Sequence, residues 1–259
     1  MVATLYPFLN ETPRLSKFIA TGRPLCLLFN YDDLTAIYKK DGLAILKKIT
    51  DLAETPNICP GIFSRKTIAD LRLLPQSKTL ILIGSSGYEI DSPGFTWLFP
   101  KLGLIRHQIE SLYTTLQMEL GPSWAKTNAN IESIELQIKI PKEDPLMYQR
   151  LFQILPGNLA GSLLAIIQHP SFLQIIPGNN WDRGKSVEKI FQLLPRESDK
   201  LPVLCYLGAE NSDEPAFRQV NLYGYSVLLR ENIGRKTNAR YFLQSTQDLN
   251  KLLIWLNSQ

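Results

Sequence analysis

The chain has 259 residues, 44% hydrophobic and 20% charged, enough apolar material for one large core or a core with a smaller second domain. Its net charge of +4 is carried by scattered basic residues, which argues against a nucleic-acid partner, and no apolar run approaches the ~20 residues needed to cross a bilayer. Cys26, Cys59 and Cys205 sit in or beside apolar runs without metal-ligand spacing, and the N-terminus has neither the basic start nor the long apolar run of a secretory signal, so the expected setting is reducing and cytoplasmic, with no membrane partner.

In chain order, PLCLLFNY (24–31), NICPGIFS (57–64) and TLILIGSS (79–86) are short apolar runs that end in small or polar residues. LPVLCYLG (201–208) is a fourth. Continuous apolar runs of this kind are expected for strands buried on both faces of a parallel sheet. Between the first two runs, residues 41–54 space Leu43, Leu46, Ile49 and Leu52 three apart, which predicts one buried face of a helix. Short helical patterns follow at 67–74 and 186–194, and 246–256 closes the chain as a helix. Alternating strands and helices imply a doubly wound α/β core.

The middle of the chain reads differently. Residues 107–120 and 145–155 look helical, and 162–177 suggests a hairpin around His169 and Pro170. In IESIELQIKI (131–140), Ile134, Leu136, Ile138 and Ile140 alternate, which predicts one half-exposed antiparallel strand with Ile131 out of phase. The expected organisation is therefore a core of residues 1–106 and 178–259, interrupted by an inserted α+β domain at 107–177. In open α/β sheets ligands sit beyond the carboxyl ends of the strands. That rule singles out Asn30 to Asp33, Ser64 to Lys66, Ser85 to Glu89 and Gly208 to Asp213.

These strand ends, in this order, resemble the trehalose-6-phosphate phosphatase family of the haloacid dehalogenase (HAD-like) superfamily. That family carries Asp-Tyr-Asp-Gly-Thr-Leu where this chain has Asn30-Tyr31-Asp32-Asp33-Leu34-Thr35. Its Ser-Gly-Arg becomes Ser64-Arg65-Lys66, and its Gly-Ser-His-Gly-Ala-Glu-Ile becomes Gly84-Ser85-Ser86-Gly87-Tyr88-Glu89-Ile90. Trp-Asp-Lys-Gly-Lys becomes Trp181-Asp182-Arg183-Gly184-Lys185. Gly-Asp-Asp-x-Thr-Asp-Glu-Asp-Ala-Phe becomes Gly208-Ala209-Glu210-Asn211-Ser212-Asp213-Glu214-Pro215-Ala216-Phe217. The resemblance covers nearly the whole chain and implies a HAD-like Rossmannoid core with an inserted cap domain.

The resemblance also assigns roles. Asn30 stands at the nucleophile position, where a carboxylate attacks phosphorus and an amide does not. Asp32 stands at the general acid/base position, and Ser64, Arg183 and Lys185 at or near the phosphate-binding positions. The implied Mg²⁺ ligands are Asn30, the carbonyl of Asp32, and the acids after the fourth strand; there Ala209 replaces an acid, leaving Glu210 and Asp213. Mg²⁺ is therefore expected to bind weakly or not at all. On the insert, Glu132 matches the Glu of a Glu-x-Lys pattern that contacts the sugar, but the Lys is missing. The resulting expectation is a phosphatase-like protein without turnover, a pseudophosphatase that binds a sugar phosphate or a protein partner. The alternative is a divergent Mg²⁺-dependent sugar-phosphate phosphatase in which Asp32, Asp33, Glu210 and Asp213 rebuild the metal site. Each retained residue also has a structural reading: Ser64 as a helix cap, Asp213 as a loop anchor, Trp181 and Tyr88 as packing residues, and His107 and His169 without a catalytic role.

Overall fold

The computed structural model describes residues 5–37, 42–75, 77, 79–194, 200–229 and 236–259. Two compact units emerge from its contacts, one made of residues 1–97 and 181–259, the other of residues 98–180. The sequence predicts these borders at 106/107 and 177/178.

The first unit begins with β1 (Tyr6–Pro7), α1 (Thr12–Ala20), β2 (Leu25–Asn30), α2 (Tyr31–Ile37) and α3 (Gly42–Asp51). It continues through β3 (Ile58–Phe63), α4 (Ile68–Leu71), β4 (Ile81–Gly84), β5 (Glu89–Ser92) and β6 (Phe95–Leu98). The second unit holds α5 (Leu102–Leu120), α6 (Pro122–Asn128), β7 (Ala129–Glu132), β8 (Glu135–Lys139), α7 (Pro145–Leu159), β9 (Leu164–Gln168) and β10 (Phe172–Pro177). The chain then returns through α8 (Arg183–Leu193), β11 (Val203–Gly208), α9 (Glu214–Val220), β12 (Gly224–Leu229), β13 (Tyr241–Leu243) and α10 (Thr246–Leu256).

A nine-stranded sheet forms the first unit, in the order β1-β13-β12-β11-β2-β3-β4-β5-β6. Its strands run parallel from β1 through β4, and β5 pairs antiparallel with β4. β2 explains why the first apolar run does not alternate. Leu25, Leu27 and Phe29 pack into a core beneath α1, α3 and α10, while Cys26 and Leu28 pack into a second core beneath α8 and α9. Both faces are dry, so polar residues are excluded until the strand ends. The chain leaves β2 toward β3 on one side and reaches β11 on the other, so the C-terminal ends of β2 and β11 flank a topological switch point, where such sheets bind ligands.

Two local expectations are corrected. The buried face of α3 is Ile45, Leu46 and Ile49, followed by Leu52, whereas Leu43 is 70% exposed. A spacing of three drifts around a helix of 3.6 residues per turn, so the outer member of the series swings into solvent. Asp41, in the expected 41–54 helix, lies outside the described residues. The expected single strand at 131–140 is instead the β7–β8 hairpin, with Glu132 paired to Glu135 and Ser133 in the left-handed region at φ 54°. Ile131 was out of phase because the chain reverses between it and Leu136.

The second unit is built on a four-stranded antiparallel sheet, β7-β8-β10-β9. Leu136, Ile138, Leu173 and Ile175 are fully buried on one face, in the same unit as the buried stripe of α5 (Ile105, Ile109, Leu112, Leu116) and Leu151 and Leu155 of α7. Among the described residues no helix is long and apolar enough to cross a membrane.

Candidate functional site

The site sits at the carboxyl ends of β2, β3 and β11 and at the start of α8. Asn30, the last residue of β2, has no solvent exposure. Its Nδ2 donates to both carboxylate oxygens of Asp213, at 3.0 and 3.2 Å, and its Oδ1 accepts from the backbone N–H of Asp33 at 3.4 Å. A carboxylate only accepts, so the amide must present its nitrogen to Asp213.

Asp213 is the hub, and it is also fully buried. Its Oδ1 accepts from Arg183 Nη1 at 2.5 Å and from the Tyr206 hydroxyl at 2.6 Å. Its Oδ2 accepts from the backbone N–H groups of Ala209 at 3.0 Å and Glu210 at 2.9 Å. Gly208 permits this approach, because a Cβ there would lie 2.5 Å from Asp213 Oδ2. Burial alone would raise the pKa of Asp213; the Arg183 charge and the hydrogen bonds from Asp33 and Tyr206 outweigh it and hold the carboxyl below its usual range. Burial opposes the charge on Arg183, but Asp213 more than compensates, so the guanidinium stays protonated. The Arg183 guanidinium also lies over the Phe63 ring, 5.4 Å from its centroid, and Phe63 meets Tyr206 edge-on at 5.8 Å.

Asp33 is the second acid of this knot. Its Oδ2 accepts from Ala209 N–H at 2.5 Å. Burial first, then the charge of Asp213 and a hydrogen bond shared with it, push Asp33 up to about 8. At neutral pH the pair therefore carries one proton on Asp33 and one negative charge on Asp213, neutralised by Arg183.

Asp32 faces a different set of donors. It accepts from Ser64 Oγ at 2.7 Å, from the backbone N–H of Arg65 at 2.8 Å and from Arg65 Nε at 3.4 Å. Ser64 does not cap α4; that role falls to Thr67, which forms a capping box with Asp70. Ser64 is held by the loop after β4, where Ser86 N–H donates to the Ser64 carbonyl and Ser85 N–H donates to the Lys66 carbonyl. Ser85 and Ser86 both adopt positive φ there, and Ser85 Oγ bonds Glu89 at 2.6 Å.

Two residues expected to bind phosphate have other placements. The Arg183 side chain is 7% exposed and committed to Asp213. Lys185 is exposed on the first turn of α8, where its backbone N–H meets the N-cap Asp182; its side chain helps line a surface pocket with Trp97, Trp181 and Lys189. Glu210 lies 4.0 Å from Arg183 Nη2. Glu132 lies in the second unit, half-buried at the end of β7. Trp181 donates to the Gly87 carbonyl and stacks on Trp97 at 4.8 Å, and His169 stacks on Phe172, so these rings pack rather than react. Tyr206 and Phe63 were not singled out from sequence. A tyrosine inside an otherwise apolar strand was the available signal, since a buried hydroxyl requires a partner.

The residues present do not fit Mg²⁺. That ion wants about six hard oxygens in octahedral array. Asn30 offers a nitrogen, Ala209 has no donor atom in its side chain, both oxygens of Asp213 are saturated by N–H and O–H groups, and the Asp32 carbonyl accepts from the Thr35 hydroxyl at 3.0 Å. Among the described residues, no group of three or more His, Cys, Asp or Glu side chains is placed to hold a metal ion.

The fold is HAD-like. No protein-family model matches the chain. It is similar to trehalose-phosphate phosphatase B of Arabidopsis thaliana, at 23% identity over 90% of this chain, and it spans 66% of that relative's length. Among solved structures, the C-terminal domain of Candida albicans trehalose-6-phosphate phosphatase superposes with a TM-score of 0.66 at 16% identity, covering 99% of each chain. The C-terminal domain of a Candida albicans trehalose synthase regulatory protein superposes with a TM-score of 0.55 at 15% identity, covering 98% of this chain and all of that one. The chain is thus trehalose-phosphate phosphatase-like in sequence and in fold.

Proposed function

We propose that this chain binds a sugar phosphate without transferring its phosphoryl group. One observation carries the reading: Asn30, at the attacking position, is buried with its amide tied to Asp213. An amide oxygen has little charge to give phosphorus, and this one already accepts the Asp33 N–H. Asp213, which the resemblance gives to the metal, is consumed by Arg183 and Tyr206. A role without turnover is in keeping with one neighbour of this fold, the C-terminal domain of the Candida albicans trehalose synthase regulatory protein.

Support for an anionic ligand comes from Asp32. Ser64 Oγ and the Arg65 N–H together grip one carboxylate oxygen each, which is the geometry of an oxyanion cradle, with Arg65 beside it and exposed Lys66 next in sequence. In the resting chain Asp32 fills that cradle, and an incoming phosphate displaces it. Calorimetric titration with trehalose 6-phosphate and with inorganic phosphate tests this. Saturable binding without product is expected, strengthened about tenfold in Asp32→Asn, which removes one charge-assisted competitor. No binding by either protein would overturn the reading, as would weaker binding by the variant.

A further inference from the structure

The polar knot raises a question that loss of turnover does not answer: what neutralises its buried carboxylate? An isolated carboxylate in such a place costs several kcal/mol. In this chain the countercharge is covalently attached. Arg183 is the first residue of α8, and Asp182 before it caps the helix by accepting from Lys185 N–H at 2.9 Å. α8 and α9 approach closely at Gly184, where a Cβ would lie 2.7 Å from the Pro215 carbonyl. That approach delivers the guanidinium to Asp213 at 2.5 Å. Phe63 lies under the guanidinium, and Tyr206 packs edge-on against both Phe63 and Phe217. A weakly hydrated planar cation gains from an aromatic floor of this kind, whereas a hard divalent ion gains nothing from it. Asn30 completes the arrangement: as a neutral donor it adds a hydrogen bond to Asp213 without a second negative charge that one arginine could not balance.

We infer that Arg183 is the resident cation of this site, taking the electrostatic role of a divalent ion and excluding one. The inference extends the reading above to the cation, and its test measures metal binding rather than turnover or phosphate affinity, so the two fail separately. Anion binding at the Ser64–Arg65 cradle then proceeds equally in EDTA and in Mg²⁺.

The experiment compares melting curves and calorimetric Mg²⁺ titrations of the full chain, Asn30→Asp, and Asn30→Asp combined with Arg183→Met. The native chain is expected to melt at the same temperature in EDTA and in excess MgCl₂. Asn30→Asp alone is expected to behave likewise, because Arg183 still fills the site. In the double variant two carboxylates face each other without their arginine. Mg²⁺ is then expected to raise its Tm by about 5 °C or more at a hundredfold excess over the dissociation constant. A Mg²⁺-dependent rise in the native chain that disappears in Asp213→Asn overturns the inference. So does a folded double variant that ignores Mg²⁺. If the double variant does not fold, Asn30→Asp decides: a Mg²⁺ response there, with Arg183 intact, shows that the arginine excludes nothing.

Discussion

Replacing Asp213 by alanine tests whether the knot holds the core unit together. The substitution leaves the Arg183 guanidinium buried without its carboxylate and orphans donors on Asn30, Tyr206 and Glu210, while the Ala209 N–H keeps Asp33. Breaking a buried ion pair from one side costs about 3–5 kcal/mol. For a chain of this size each kcal/mol moves the melting temperature by about 2–4 °C, so the expected fall is roughly 6–20 °C. Asp32→Ala supplies the contrast. Of its partners Ser64 is buried, but the Arg65 side chain is 32% exposed, so water can replace the lost acceptor on that side. The expected cost there is about 1–2 kcal/mol. Differential scanning calorimetry of both variants reads the difference. Equal losses, or a loss at Asp213 below that at Asp32, would refute the claim that Asp213 is the internal anchor.

Asp33 gives a pH signature. Its folded pKa of about 8 lies above the ordinary value of 3.8, so the folded chain holds this proton more tightly than the unfolded one. Its contribution is complete below about pH 4 and is lost as pH rises to about 8. Asp33→Asn mimics the protonated carboxyl, and its melting temperature is expected to decline less than that of the native chain between pH 6 and pH 9, measured by thermal shift; parallel declines would contradict the assignment. Asn30→Asp alone is expected to leave trehalose 6-phosphate unhydrolysed, since Arg183 and Ala209 still deny the site its metal ligands. A phosphate-release assay checks it, and recovery of an ordinary enzymatic rate would show that position 30 was the sole lesion.

The core strands were legible because double-sided burial leaves no ambiguity of phase: Leu25–Phe29 and Val203–Leu207 are buried at every position and apolar throughout but for the Tyr206 hydroxyl. Helix α10 was legible for the complementary reason, with Leu249, Leu252, Leu253 and Leu256 forming one regular stripe after the Ser245 cap. The β7–β8 hairpin was misread because its turn uses Ser133 and Ile134 rather than Gly or Asn. Ile134 looked like part of the alternation although it belongs to the reversal. α1 escaped notice because it buries only Leu15 and Ile19, too few to mark a period. At the site, the identity of each strand-end residue was readable, but the partners were not. Asn30, Arg183 and Asp213 are far apart along the chain, and only the sheet order brings them together. The position of Arg183 in the sequence suggested a ligand for phosphate, and nothing local revealed that its closest acid would be Asp213.

We propose a site that holds an anion and performs no phosphoryl transfer. Phosphate release from trehalose 6-phosphate, measured over hours with the purified chain in Mg²⁺ and in EDTA, tests it most directly. Release equal to a protein-free control is expected under both conditions. Release that requires Mg²⁺ and disappears in Asp32→Asn would contradict it.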